Sequence, residues 1–145
     1  MAAKYSGNIF VGFFLAIFLH FIFDLIPHGD ENLVDDPKNP TRKELNFIAI
    51  IATLDIIIMS LILIFLWYFG KLQADIIIAL GVFGGLLPDL MNGIYIIFKI
   101  KFLKPLTDFH EKIHNIIPFK LTLGQGLIFQ IFVEIFLLIL IFNFK

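Results

Sequence analysis

The sequence predicts an all-α integral membrane protein, a bundle of four transmembrane helices with the third helix kinked at Pro88. Three observations carry this. Hydrophobic residues fill 59% of the 145 positions and charged residues 16%, against about 45–50% and about 25% in an average soluble domain. Phenylalanine alone occurs 19 times. Four apolar stretches each reach the ~20 residues a spanning helix needs, and none alternates with the period of two that marks a strand. The length fits one transmembrane helical domain, 1–145.

Such a composition leaves too little polar surface to cover the chain in water, which excludes a disordered segment and a small soluble enzyme. The formal net charge of −1 offers no basic field for nucleic acid. With no cysteine in the chain, disulfides, thiolate nucleophiles and cysteine-based zinc sites are excluded as well.

The predicted spans are residues 8–27, 46–69, 74–98 and 121–144. The first is too long for a signal-peptide core and ends in Pro27-His28-Gly29 rather than a small-residue cleavage site, so it reads as a retained helix. Pro27 disfavours helical geometry at Ile26, which places the end of that helix there. In the third span, Gly81 and Gly85 form a GxxxG pair suited to close helix approach. Pro88 cannot donate to the carbonyl of Gly84, hence the expected kink.

Lysine and arginine set the orientation. Loops 28–45 and 99–120 carry eight (Lys38, Arg42, Lys43, Lys99, Lys101, Lys104, Lys112, Lys120), whereas the opposite face has three (Lys4, Lys71, Lys145). This bias predicts both loops in the cytoplasm and both termini outside.

Ionisable residues interrupt all four spans: His20 and Asp24, Asp55, Asp89, and Glu134. A charge at the bilayer centre costs about 2.5–3.5 kcal/mol or more, so these positions need an explanation, whether as interhelical hydrogen-bond partners or as a site. His20 and Asp24 share a helix face one turn apart, as do His110 and His114. At ~1.5 Å per residue, Asp24 and Asp89 lie about 22–24 Å from the outer ends of their helices, a similar depth near the cytoplasmic boundary. His28, His110 and His114 follow just above.

Mixed histidine and carboxylate donors without soft ligands suit a divalent transition metal, zinc first, then manganese or iron. Six candidates, His20, Asp24, His28, Asp89, His110 and His114, exceed what one tetrahedral ion needs, which allows two ions. Asp55 and Glu134 fall nearer mid-bilayer.

His110-Glu111-Lys112-Ile113-His114 matches the HExxH metalloprotease pattern, in which Glu111 would be the general base. The structural alternative makes Asp108 and Glu111 a capping box opening a short helix that Pro118 closes. Taken together, LHFIFDLIPHG, GGLLPDL and FHEKIH resemble the bacterial membrane-bound, metal-dependent hydrolase family. That family combines an H-x-x-x-D helix with a Pro-x-Gly turn, an L-L-P-D element and an H-x-x-x-H element. The resemblance implies His20, Asp24, Asp89, His110 and His114 as metal positions, with His28 in the turn. Two features depart from it: Leu90-Met91-Asn92 follows Asp89 where the family continues x-D-H, and the H-x-x-x-D element comes first rather than last. The family is distantly similar to zinc-dependent phospholipase C and related nucleases, which implies phosphoester hydrolysis.

The function expected is therefore hydrolysis of a lipid or lipid-linked phosphoester at the cytoplasmic face. His28 and Glu31 are expected to move a proton or complete the ligand set. Partners would be the bilayer and that substrate, not nucleic acid. Two alternatives are a metal-ion or proton transporter using Asp55 and Glu134, and an intramembrane HExxH protease.

Overall fold

The computed structural model describes residues 8–26, 29, 33–34, 40–73 and 75–143. Among these the secondary structure is helical throughout: α1 (Ile9–Asp24), α2 (Arg42–Tyr68), α3 (Ile76–Phe98), a 3₁₀ turn (Lys101–Leu103), α4 (Lys104–His114) and α5 (Leu123–Asn143). Three of them, α2, α3 and α5, are long and apolar enough to cross a membrane. At ~1.5 Å per residue their 27, 23 and 21 residues span about 40, 35 and 32 Å. The first helix has 16 residues, about 24 Å, short of the 20-residue stretch expected. It stops at Asp24, ahead of Pro27.

Local chemistry explains each start. Asn8 Oδ1 accepts from the amides of Phe10 and Val11 at 2.9 and 3.4 Å, and Asp75 Oδ1 accepts from Ile78 at 3.0 Å. These two polar residues at the N-terminal ends of α1 and α3 are N-caps. Thr41 and Glu44 form a reciprocal capping box that starts α2 at Arg42, four residues earlier than its uncharged run suggests. Thr122 and Gln125 make the same exchange ahead of α5.

The expected capping box at Asp108 and Glu111 is not formed. The α4 helix already begins at Lys104, with Pro105 in its first turn, where a missing amide proton does no harm. Asp108 lies mid-helix and takes an ion pair from Lys104 at 2.6 Å. The helix ends at His114, before Pro118, where Asn115 Nδ2 donates to the Glu111 carbonyl at 2.7 Å.

The helices sort into two compact units, one holding α1, α3 and α4, the other α2 and α5. In the first unit α1 and α3 run parallel. Phe13 lies against Gly84, and further along both chains His20 meets Asp89 at 3.6 Å. A Cβ on Gly84 would sit 2.7 Å from the Phe13 carbonyl oxygen, whereas one on Gly85 would meet nothing within 4 Å. The close approach expected of the Gly81/Gly85 pair is thus made at Gly84. Helix α3 continues through Pro88 and ends at Lys99, which adopts a left-handed conformation (φ 52°). That residue reverses the chain, and α4 returns along α3 until His110 faces Asp89 at 3.3 Å.

In the second unit the last turns of α2 meet the end of α5. The Phe142 ring lies 5.8 and 5.9 Å from those of Phe65 and Phe69, and Lys71 Nζ donates to the Phe142 carbonyl at 3.2 Å. Gly29 (φ 91°) packs so tightly beside α5 that a Cβ would lie 2.8 Å from the Thr122 carbonyl oxygen. Only glycine meets both demands.

Neither unit has the interior of a water-soluble domain. Among the described residues the buried apolar side chains larger than alanine are Leu66, Pro88 and Leu103, while Phe10, Phe102 and Phe132 are 73%, 85% and 74% exposed. Outward-facing aromatic and aliphatic surface on this scale calls for an apolar surrounding.

Candidate metal centre

Three helices of the first unit deliver the candidate ligands. Helix α1 supplies His20 and Asp24 from its last two turns, α3 supplies Asp89 directly after Pro88, and α4 supplies His110 and His114. One donor atom from each of His20, Asp24, Asp89 and His110 lies within 4.8 Å of the others. These residues are 86 to 90 positions apart across the α1–α4 contact, so packing rather than local sequence creates the cluster.

Asp24 is the hub. Its Oδ2 lies 3.0 Å from His20 Nε2, 2.9 Å from His110 Nε2 and 3.5 Å from His114 Nε2. Across from it, Asp89 Oδ1 is 3.3 Å from His110 Nε2 and 3.6 Å from His20 Nε2. The two imidazole nitrogens of His20 and His110 are 3.4 Å apart. Histidine and carboxylate donors gathered at this spacing could hold a metal ion. His114 extends the group from the turn above, at the distance to Asp24 given.

Burial is uneven. The side chains of His20, Asp24, His110 and His114 are 5–14% exposed, whereas Asp89 is 62% exposed. The cluster is thus walled on the α1 and α4 sides and open beside Asp89. Phe21 forms part of the wall, edge-on to Phe109 at 5.1 Å and to His110 at 6.0 Å. Burial by itself would push the His110 imidazole down, but hydrogen bonds to Asp24 and Asp89 and their charges lift it to about 9.

The other expected site residues sort as follows. Glu111 is half-buried on α4 and does not belong to the four-residue group; adjacent residues on a helix do not share a face, so His110 and Glu111 diverge. His28 and Glu31, like Pro27 and Asp30, lie outside the described residues. Asp55 sits exposed on α2 and Glu134 half-buried on α5, both in the second unit.

Sequence reasoning passed over two polar residues beside the cluster. Asn92 follows Asp89 by three positions on α3, and Thr107 precedes His110 by three on α4. Both carry a buried side-chain oxygen. Their i±3 spacing from the ligands was the available signal.

What fold and site together define is an all-helical protein with membrane-length helices and a histidine–aspartate cluster able to hold a metal ion. Comparisons with protein-family models, with curated proteins and with solved structures find no match to the chain.

Proposed function

We propose that this protein is a membrane-embedded, metal-dependent hydrolase that cleaves a phosphoester of a lipid or lipid-linked substrate at the cytoplasmic face. The observation that carries the reading is the convergence of His20, Asp24, Asp89 and His110 from three helices onto one point. Packing alone does not call for two carboxylates and two imidazoles at one spot in so apolar a chain.

In this reading α1 is a fourth span. Its packing alongside α3, a helix long and apolar enough to cross a membrane, supports that. Pro88 removes one backbone bond from α3 next to Asp89 and kinks the helix there. The lysines of 99–120 support a cytoplasmic position for that end of α3, and the reading puts both termini outside and the protein in a bacterial inner membrane.

His20, Asp24, Asp89 and His110 would hold the ion, zinc foremost, with His114 completing the set. When bound, such an ion lowers the pKa of water to near neutrality and offsets charge building on a phosphoryl oxygen. The chain's own contribution is to orient and to exclude. Asp24 holds three imidazoles in fixed directions, and Phe21 and Phe109 keep bulk water from the α1–α4 side. The exposed side at Asp89 admits a phosphate from the membrane surface.

The test begins with metal analysis of gently purified protein, which should contain zinc or take it up. Metal-loaded protein incubated with a panel of radiolabelled membrane lipids should release phosphate or a phosphorylated headgroup, and a chelator should stop it. Lys104→Cys should label only from the cytoplasmic side. Protein that binds neither zinc nor manganese would refute the site. Metal uptake into proteoliposomes that depends on Asp55 and Glu134, without lipid cleavage, would replace the hydrolase with a transporter.

A further inference from the structure

The chain between α3 and α4 interleaves residues that want different surroundings. Residues 97–104 read Ile-Phe-Lys-Ile-Lys-Phe-Leu-Lys. Phe102 is 85% exposed, the most exposed large apolar side chain among the described residues. Ile97, Phe98 and Ile100 are exposed with it, and Leu103 is buried. Lys99, Lys101 and Lys104 stand between them and are exposed as well. By contrast, the exposed Phe10 and Phe132 stand on α1 and α5, helices that contain no lysine or arginine.

Neither water nor the acyl core satisfies such a segment. Water would leave four large apolar side chains bare, and the acyl core would strand the ammonium groups. The membrane–water interface satisfies both, with apolar side chains among the upper acyl chains and lysines reaching the headgroups. The end of α3 fits that level. The helix is long and apolar enough to cross a membrane. Its last turn carries Tyr95, a residue type enriched at membrane interfaces, with Lys99 Nζ 5.8 Å from the ring centroid. The left-handed Lys99 then ends the helix, so the chain leaves its axis there.

Charge selects the headgroup. No aspartate or glutamate occurs between Asp89 and Asp108. Asp108 pairs with Lys104, which leaves Lys99 and Lys101 as excess positive charge. The bias of lysine toward cytoplasmic loops accounts for their number, not for their alternation with exposed isoleucine and phenylalanine.

We propose that residues 97–104 form a lipid-docking element that seats the α3–α4 turn in the membrane interface and binds anionic phospholipid headgroups. Phe102 is the anchor, and Lys99 and Lys101 bind the phosphates. The element rests on α3 crossing the bilayer and is independent of whether the chain hydrolyses lipid.

The experiment uses full-length protein in which the single tryptophan, Trp67, is replaced by phenylalanine, so that Phe102→Trp reports alone. It is reconstituted in mixed phosphatidylcholine and phosphatidylglycerol vesicles, with one lipid or the other brominated in its acyl chains. The reporter at 102 should be quenched, and more strongly by phosphatidylglycerol, with a preference of up to roughly fivefold for each lysine engaged. Lys99→Gln and Lys101→Gln together should abolish the preference, as should high salt. Phe132→Trp on α5 is the control and should be quenched equally by both lipids. Ile100→Trp repeats the measurement if Phe102→Trp fails to fold. Quenching at 132 but not at 102 or 100 puts the turn in water, free for a soluble partner, and overturns the proposal. Quenching at 102 with no preference, or with a preference that survives the lysine substitutions, overturns it too. Absence of quenching at every position overturns the membrane reading along with it. No arm reads turnover, so failure of the hydrolase reading is a separate result.

Discussion

The two compact units of the chain are built from similar helices and put to opposite uses. In the first, α1, α3 and α4 bring five ionisable side chains together, Asp24 among them as the hub. In the second, Asp55 and Glu134 stand on the long apolar helices α2 and α5, and ring contacts with a Lys71–Phe142 hydrogen bond join the end of α2 to the end of α5. Hydropathy hardly separates the units. What separates them is one reversed helix: α4 folds back along α3 from the left-handed Lys99 and presents His110 to Asp24 and Asp89. A carboxylate in an apolar helix therefore says little until its neighbours are known.

That contrast can be broken most directly at its hub. Asp24→Ala should weaken zinc binding by more than the ~10–100-fold that follows loss of an outer-shell partner, because three imidazoles lose their shared contact. Asp55→Asn and Glu134→Gln should leave zinc affinity unchanged. Calorimetric titration of zinc into the apo-protein measures both, and equal losses from the two units would erase the distinction drawn here.

Next in size are the two glycines where each unit comes closest. Gly84→Ala places a methyl 2.7 Å from the Phe13 carbonyl oxygen and should destabilise the protein by about 1–3 kcal/mol. Gly85→Ala, with open space around it, should be neutral or stabilising by up to ~1 kcal/mol through helix propensity. In the second unit Gly29→Ala meets both a positive φ and a backbone oxygen, and should lose about 1–3 kcal/mol. Thermal unfolding of the matched set reads all three. Only Gly84→Ala should also lower zinc affinity, since it separates the helices that carry His20 and Asp89.

Smaller effects belong to the helix ends. Thr41→Ala removes one half of the α2 capping box and should cost about 0.5–2 kcal/mol, without changing zinc affinity. Lys104→Met breaks the ion pair with Asp108, which is exposed on both sides and screened by solvent. No change in thermal midpoint or zinc content is expected there, and a loss of zinc would mean that α4 depends on that pair for its position.

Much of this was legible in the sequence, and the misreadings have physical causes. The i, i+4 pairs His20/Asp24 and His110/His114 were visible because a helix places such residues on one face. Asp89 stood out beside Pro88. The start of α4 was misplaced because Asp108-x-x-Glu111 fits a cap equally well inside a helix, and Pro105, the better start signal, was passed over. Thr41-x-x-Glu44 was a legible cap hidden by measuring the span from its first uncharged residue. The Gly81/Gly85 pair did not point to the close contact at Gly84, because a GxxxG pattern records spacing, not the direction in which the partner lies.

The sequence by itself determined the helices, their apolar character and the short-range pairs along them, because hydropathy, capping and the 3.6-residue repeat act over one or two turns. Only the tertiary structure decided that α1 lies parallel to α3, that α4 turns back at Lys99, and that His20 and His110, 90 residues apart, bring their imidazole nitrogens within 3.4 Å. Those outcomes depend on how side chains on different helices interlock, a long-range register that no local pattern encodes.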